Sequence, residues 1–230
     1  MTKICAFGDS VLKGVILEND KYKISKNSFS NICGNALGIS IENKAKFGSI
    51  ADTVKKSMER NIIDLENTHY DYVIFEFGGN DCDFNWKEIS ENPYLEYNPN
   101  STIKAFRETY TELINKIKDL GMTPVLMSLP PIDSKKYFDK ISKGLNSENI
   151  LKWMNGNKQF ITNWHERYNI EVFKLALDNK ISVIDITSKF LEIKDYSDYL
   201  CDDGIHPNEK GHEIIVKEIE QHLKDKNIKL

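Results

Sequence analysis

The sequence predicts an α/β domain in which helices cover both faces of a parallel sheet. Short segments rich in β-branched and aromatic residues alternate along the chain with longer segments of helical periodicity. Most of the short segments are apolar on consecutive residues, which is typical of strands buried on both faces. The alternation predicts right-handed βαβ crossovers and therefore parallel strands with helices on both sides.

Five segments are predicted to be strands. They span residues 4–7, 40–45, 72–77, 124–129 and 182–186. The clearest helix lies in 101–121, where apolar residues recur every three or four positions and Gly121 is placed to end the helix. Similar stripes run from Ile161 to Leu175 and from Ile215 to Leu223, so three helices are expected to cover the sheet.

Length and charge narrow the class of protein. A chain of 230 residues can bury one sizeable core, so we expect a single domain over residues 1–230. A net charge of -4 provides no overall positive field for nucleic acid, and no apolar run approaches the roughly 20 residues that span a bilayer. The N-terminus lacks the apolar region of a secretory signal, so we expect a cytoplasmic protein. Its oligomeric state is not predicted.

The four cysteines are Cys5, Cys33, Cys82 and Cys201. They are far apart and form no C-x-x-C pair, so we expect free, buried thiols and neither a zinc ribbon nor a redox motif.

Two connections are long for an α/β domain, at about 82–100 and 131–158. Long connections often act as lids or binding elements. Both carry several aromatic residues, namely Phe84, Trp86, Tyr94, Tyr97, Tyr137, Phe138 and Trp153. These rings predict either a partly apolar lid over a pocket or simple packing of the connections onto the domain.

Candidate functional residues follow three of the predicted strands. Ser10 follows the first strand, Gly48 the second and Asn80 the third, while Asp203 and His206 precede the last helix. Ligands of a parallel sheet bind at the carboxyl ends of its strands, so these segments are expected to meet at one edge.

These residue types are the ones that nucleophilic catalysis by serine requires. A serine hydroxyl needs a base to take its proton, and a third group must orient that base. The spacing of Asp203 and His206 lets one turn fold the carboxylate back to Nδ1 of the imidazole, which leaves Nε2 free to face Ser10. The backbone N–H groups of Ser10 and Gly48 and the Asn80 amide could stabilise an oxyanion.

Each residue also has an ordinary structural interpretation. Ser10 alone is typical of a helix cap, Gly48 of a turn, and Asn80 of a polar turn. Asp203 and His206 could be a cap and a surface imidazole. The combination, in order and at one predicted sheet edge, favours the catalytic interpretation.

The motifs FGDS, GGND and DGIHP, together with Gly48, resemble the four sequence blocks of the SGNH hydrolases, also called the GDSL lipase/esterase family. The resemblance spans almost the whole chain. It implies a flavodoxin-like three-layer α/β/α sandwich with a central five-stranded parallel sheet in the order 2-1-3-4-5. It also implies ester hydrolysis through an acyl-serine intermediate.

Carried over block by block, the resemblance makes Ser10 the nucleophile, His206 the base and Asp203 the residue that orients it. It makes Ser10, Gly48 and Asn80 the donors of the oxyanion hole, and it implies no metal or cofactor. Val11 stands where the GDSL form has a leucine directly after the serine, a position that varies within the wider family.

The leading expectation is a serine esterase acting on a small or medium acyl ester, with acetylated carbohydrate as one target. A basic cluster keeps lysophospholipase and thioesterase activity open; its members are Lys135, Lys136, Lys140 and Lys143. A metal-dependent phosphoesterase is another alternative, with Asp9, Asp81, Asp203 and His206 as ligands. A nucleotide- or flavin-binding module is the third, although the chain lacks G-x-G-x-x-G.

Two neighbours of the site have less specific expectations. Asp202 competes with Asp203 for the orienting role, and the family pattern favours Asp203. His212, on the last helix, is expected to be a solvated or capping side chain.

Overall fold

A parallel sheet of five strands runs through the middle of the computed structural model, which describes residues 2–37 and 40–225. Its strands are β1 (Lys3–Gly8), β4 (Ser40–Asn43), β5 (Tyr72–Glu76), β6 (Thr123–Met127) and β7 (Ser182–Ile184). Two further strands, β2 (Val15–Glu18) and β3 (Lys21–Ile24), form a separate hairpin. The α-helices are α1 (Ser10–Lys13), α2 (Phe29–Leu37), α3 (Ala51–Arg60), α4 (Ile62–Thr68), α5 (Trp86–Glu91), α6 (Ile103–Asp119), α7 (Ser134–Ile141), α8 (Ser147–Trp153), α9 (Gln159–Asn179), α10 (Ile186–Leu191) and α11 (Glu209–Asp225). A short 3₁₀-helix spans Tyr196–Tyr199.

The sheet has the order β4-β1-β5-β6-β7, and every neighbouring pair is parallel. Numbered by their position along the chain, these strands lie in the predicted order 2-1-3-4-5. The predicted fold class is therefore confirmed. The strand order reverses direction between β4 and β5, with β1 at the switch, and this is where open α/β sheets bind ligands.

Four strands, β4, β5, β6 and β7, end one or two residues earlier than predicted, and a side chain explains the ends of β4 and β7. Asn43 Oδ1 accepts a hydrogen bond from Ala45 N at 3.0 Å, which turns the chain out of β4. Asp185 Oδ1 accepts one from Ser188 N at 3.0 Å, so Asp185 caps α10 and Ile186 begins a helix instead of extending β7.

The hairpin of β2 and β3 was not predicted. Its two strands are antiparallel, and β3 is exposed along its length, so no buried face imposes an apolar pattern on it. Asn19 and Asp20 connect the strands with φ of 52° and 58°. Two consecutive residues of positive φ are typical of a tight hairpin turn, and the Asn-Asp pair is the one sequence signal for it.

Helices cover both faces of the sheet, which gives three layers. Successive residues of β1 alternate between two apolar cores: Phe7 belongs to the core beneath α3, α6 and α9, and Ile4 to the core beneath α2, α10 and α11. Burial on both faces explains why the strand sequences are apolar without interruption.

The two long connections contain helices and share a third apolar core. Helix α5 lies in the first connection, α7 and α8 lie in the second, and Asn149 Nδ2 on α8 donates to Ser90 O on α5 at 2.8 Å. Most of their predicted aromatic residues are buried in this core, whereas the Tyr94 side chain is 76% exposed. None of the described helices is long and apolar enough to cross a membrane.

Replacing Leu113 by alanine should destabilise the protein strongly, because its side chain on α6 is 0% exposed in the core beneath the sheet. We expect a loss of about 2–5 kcal/mol in the free energy of unfolding, measured by urea denaturation. Leu177→Ala on α9 is the matched control, since that side chain is 78% exposed and should cost less than about 0.5 kcal/mol. Equal losses in the two variants would contradict the assigned core.

Candidate active site

Ser10 lies two residues after the end of β1, at the start of α1. Asp9 caps α1, with its Oδ1 accepting a hydrogen bond from Val11 N at 2.9 Å. Ser10 is the first residue of α1 and is only 7% exposed. The structure thus places the hydroxyl at the carboxyl end of β1, where the sequence predicted it.

Ser10, His206 and Asp203 form one chain of hydrogen bonds. His206 Nε2 lies 2.8 Å from Ser10 Oγ, and His206 Nδ1 lies 2.7 Å from Asp203 Oδ2. With the proton on Nδ1 held by Asp203, Nε2 is the acceptor for the serine hydroxyl. The imidazole is thereby in the tautomer that can take a proton from Ser10.

Asp203 stays ionised although it is fully buried. Burial pushes its pKa upward, but hydrogen bonds from the His206 side chain and from the N–H groups of Ile205 and His206 outweigh this, and the pKa lies below its ordinary value. A permanent negative charge at this position stabilises an imidazolium on His206. Asp202 is exposed, so the structure selects Asp203 as the partner of the imidazole.

Gly204 allows the turn between these two residues to pack tightly. Its φ is +74°, and a Cβ there would lie 2.7 Å from Asp133 O and 2.8 Å from Tyr137 N. Asp133 N in turn donates to Gly204 O at 2.9 Å. The second long connection is therefore held directly against the Asp203–His206 turn.

The residues predicted for an oxyanion hole lie in adjoining loops. Asn80 Nδ2 donates to Ser49 O at 3.1 Å and to Asp9 Oδ2 at 3.3 Å. The first bond ties Asn80 to the residue after Gly48, and the second ties it to the residue before Ser10. Gly48 has a φ of +71° and is exposed.

Asp81 supports the same arrangement from below. Its side chain is 0% exposed, and its Oδ1 accepts a hydrogen bond from Ala51 N at 2.9 Å. This bond fixes the start of α3, and with it the loop that carries Gly48. Burial raises the pKa of Asp81 to about 6.

A cavity of about 720 Å³, counted to its open mouth, adjoins Ser10 and His206. Its walls are mostly apolar and come from α9 and both long connections. The main wall residues are Phe84, Trp86, Leu129, Ile132, Tyr137, Phe160, Ile161, Trp164 and Ile205. Trp164 Nε1 donates to Cys82 O at 2.8 Å, which fixes the first connection to α9. The aromatic residues of the connections thus both pack together and line a pocket.

Two aromatic rings beside His206 were missed by sequence reasoning. The ring centroids of Tyr22 on β3 and of Phe47 lie 5.3 and 6.2 Å from that of His206. Both side chains remain partly exposed, so they form an outer wall of the site. Burial and the neighbouring Asp203 raise the pKa of Tyr22. No signal marked Tyr22, because its hairpin was not predicted.

Among the other predicted residues, His212 differs from expectation. Its side chain is 0% exposed and its ring stacks on Phe29 with centroids 5.8 Å apart, so it belongs to the core and is not solvated. Burial lowers its pKa to about 4, which keeps the imidazole neutral. The spacing of Phe29 and His212 along the chain left no local pattern that could reveal this contact.

The four cysteines are free and buried, as predicted. Burial raises the pKa of Cys82 well above its ordinary value and that of Cys201 to about 11, so neither thiol near the site is a ready nucleophile.

Asp9, Asp81, Asp203 and His206 do not come together as metal ligands. Over residues 2–37 and 40–225, no three histidine, cysteine, aspartate or glutamate side chains are grouped so that they could hold a metal ion. The carboxylates are instead engaged by backbone N–H groups and by His206.

A three-layer α/β/α sandwich with a serine, a histidine and an aspartate linked at the carboxyl ends of its strands has the architecture of a hydrolase. The family comparison agrees: the model of the GDSL-like Lipase/Acylhydrolase family matches residues 6–214. The chain belongs to this family, as the sequence motifs predicted.

Similar proteins extend over nearly the same length. The protein YpmR of Bacillus subtilis (strain 168) is 23% identical over 230 residues, which cover 98% of this chain and 82% of YpmR. A lipase/acylhydrolase from Enterococcus faecalis has a TM-score of 0.69 at 18% identity, covering 98% of this chain and 97% of that one. A catalytic mutant of Axe2, an acetylxylan esterase from Geobacillus stearothermophilus, has a TM-score of 0.67 at 18% identity, covering 96% and 94%.

Gly204→Ala should destabilise the protein more than Gly121→Ala. Both glycines have positive φ, +74° and +76°, so both substitutions incur backbone strain of about 1 kcal/mol. Only at Gly204 would the new methyl group overlap neighbouring backbone atoms; at Gly121 nothing lies within 4 Å. We expect a larger fall in melting temperature for Gly204→Ala, and equal falls would show that the close approach to Asp133 is not as described.

Proposed function

We propose that the protein is a serine esterase that hydrolyses a small or medium acyl ester through an acyl-serine intermediate. The observation that carries this proposal is the continuous hydrogen-bonded chain from Asp203 through His206 to Ser10, at 2.7 and 2.8 Å. Membership of the GDSL-like Lipase/Acylhydrolase family supports the reaction class.

In the first half of the reaction, Ser10 Oγ attacks the ester carbonyl carbon while His206 Nε2 takes the hydroxyl proton. The ionised Asp203 stabilises the resulting imidazolium, which then gives its proton to the departing alcohol. In the second half, His206 removes a proton from water, the hydroxide oxygen attacks the acyl carbon, and the proton returns to Ser10 as the carboxylic acid leaves. No metal or cofactor takes part in these steps.

The oxyanion that forms in each half is assigned to the N–H groups of Ser10 and Gly48 and to the Asn80 amide. Asn80 is oriented before substrate arrives by its bonds to Ser49 and Asp9. The bond to Asp9, at 3.3 Å, is the longer of the two, so we expect the oxyanion to compete for that hydrogen.

The cavity supports an acyl group longer than acetyl. Its apolar walls reach from Ser10 to Phe84, Ile161 and Trp164, and an alkyl chain buried there would leave water without losing hydrogen bonds. Acetylated carbohydrate stays a candidate because the similar Axe2 is an acetylxylan esterase.

The basic cluster does not favour an anionic substrate. Lys136 Nζ donates to Ser197 O at 2.7 Å, and Lys140 Nζ lies over the Tyr22 ring at 5.1 Å. Lys143 lies 3.7 Å from Asp20. Three of the four lysines thus have contacts within the protein, so the site chemistry, and not this charge, supports the ester as substrate.

A fluorophosphonate should label the wild-type protein once, at Ser10, as measured by intact mass. Ser10→Ala should take no adduct, whereas Ser57→Ala, which removes another buried hydroxyl far along the chain on α3, should label normally. His206→Ala should lower kcat by about 10⁴-fold or more, and Asp203→Asn by a comparable but smaller factor. Equal labelling of the wild type and Ser10→Ala would refute the assignment of the nucleophile.

Ile161→Trp should shorten the preferred acyl chain, because Ile161 is 5% exposed and lines the cavity. We expect kcat/KM for p-nitrophenyl octanoate to fall roughly tenfold or more relative to p-nitrophenyl acetate. Ile170→Trp is the control on the same helix, since Ile170 is 49% exposed and should leave the ratio unchanged. An unchanged ratio in Ile161→Trp would place the acyl group outside this cavity.

A further inference from the structure

Two buried carboxyl groups lie side by side beneath the nucleophile. Asp9 is 3% exposed and Glu76, the last residue of β5, is 1% exposed. Asp9 N donates to Glu76 O at 3.1 Å, and the two carboxyl groups accept from the consecutive N–H groups of Val11 and Leu12, which places them close together. Glu76 Oε1 is fully buried, and no donor among the described residues reaches it. A carboxylate oxygen in that position is costly, whereas a protonated one would have Asp9 as its acceptor.

The surroundings of the pair favour retention of a proton. The titratable groups that interact electrostatically with Asp9 or Glu76 from neighbouring segments are Asp81 and Cys82 after β5, Tyr110 on α6, and His206. Burial comes first among the causes that raise the pKa of Asp9 and of Glu76. The neighbouring Asp9 further raises the pKa of Glu76, and Asp81 further raises that of Asp9. Two adjacent carboxylates in a dry site cannot both carry a charge at low cost.

The pair is the attachment point for the backbone around Ser10. Asp9 Oδ1 accepts from Val11 N at 2.9 Å, and Glu76 Oε2 accepts from Leu12 N at 3.0 Å. Asp9 Oδ2 accepts from the Asn80 amide at 3.3 Å. The first turn of α1 and the Asn80 side chain therefore both depend on where these two carboxyl groups lie.

We propose that Glu76 is a positioning residue: it keeps a proton at neutral pH and donates it to Asp9, and this bridge holds the Ser10 turn and the Asn80 amide in their working arrangement. Loss of that proton leaves two adjacent negative charges, which repel and release the bonds to Leu12 and Asn80. The catalytic part rests on the proposed esterase function, whereas the shared proton does not.

Stability as a function of pH tests the shared proton. A carboxyl whose pKa is raised by folding stabilises the protein at low pH, and this stabilisation is lost as the pH rises from the ordinary carboxyl range through the raised value. Glu76→Gln retains a donor to Asp9 and an acceptor for Leu12 N but has no proton to lose. Its melting temperature relative to the wild type should therefore rise steadily between pH 5 and pH 9.

Glu171→Gln is the matched control, for which the melting temperature relative to the wild type should change with pH in the opposite direction. Glu171 is also a poorly exposed glutamate, but it pairs with Arg107 at 2.9 Å and Lys174 at 2.7 Å. Burial raises its pKa, but these cations outweigh burial and lower it below the ordinary value. Its pairing is stabilising above the ordinary carboxyl pKa, so the melting temperature of Glu171→Gln relative to the wild type should fall through that range and then stay constant.

Kinetics tests the positioning role. Glu76→Leu should lower kcat for p-nitrophenyl butyrate at least tenfold at pH 7 with KM nearly unchanged, and Glu76→Gln should restore most of that loss. The wild type should lose kcat at alkaline pH, and Glu76→Gln should keep its kcat to higher pH. A loss confined to KM, or no rescue by glutamine, would overturn the positioning role.

Infrared spectroscopy of wild-type protein with ¹³C-labelled glutamate carboxyls provides a measurement that needs no variant to fold. A carbonyl band of a protonated glutamate at pH 7 supports the shared proton, and its absence overturns it. A melting-temperature difference for Glu76→Gln that is constant or falls with pH overturns it as well. These outcomes hold whether or not the protein hydrolyses any ester, so failure of the proposed function would be seen separately.

Discussion

The backbones of β1 and β5 approach each other so closely at Gly8 that any side chain there would collide with its neighbour. A Cβ on Gly8 would lie 2.1 Å from Glu76 O, and Asp9 N donates to that same oxygen at 3.1 Å. This contact brings the end of β1, which carries Ser10, against the end of β5, which leads to Asn80. Ser10, the carboxyl groups of Asp9 and Glu76, and the Asn80 side chain therefore come together through one pair of neighbouring strands.

Burial of polar groups around this contact gives the site its chemistry. Asp203, His206 and Asp81 are at most 3% exposed, and each keeps its state through specific partners: hydrogen-bond donors hold Asp203 ionised, and Asp203 fixes the tautomer of His206. In a low-dielectric site these interactions are stronger than they would be in water, and an unpaired charge is more costly. The same environment that strengthens the hydrogen bonds from Asp203 through His206 to Ser10 makes a second ionised carboxyl beside Asp9 unfavourable.

The long connections supply what the sandwich lacks, namely a covered pocket. Their helices share an apolar core that includes Phe84, Ile132 and Ile150, and Gly204 lets the turn from Asp203 to His206 pack against the start of α7. The pocket and this turn are thus parts of one packed unit. A change in the connections would be felt at His206 through this contact, and not only through the shape of the cavity.

The sequence by itself determined the five parallel strands and the family, because continuous apolar runs, helical stripes and four polar motifs are local patterns that survive without the fold. The strand order was implied by the resemblance to the family. It also named Ser10, Asn80, Asp203 and His206. Only the tertiary structure decided the position of Tyr22 beside His206, the burial of His212 on Phe29, and the placement of Asp9 next to Glu76. Each of these is a contact between residues distant along the chain, and no periodicity or spacing encodes it. The charge state of a buried side chain depends on its neighbours in space, so only the folded protein specifies it.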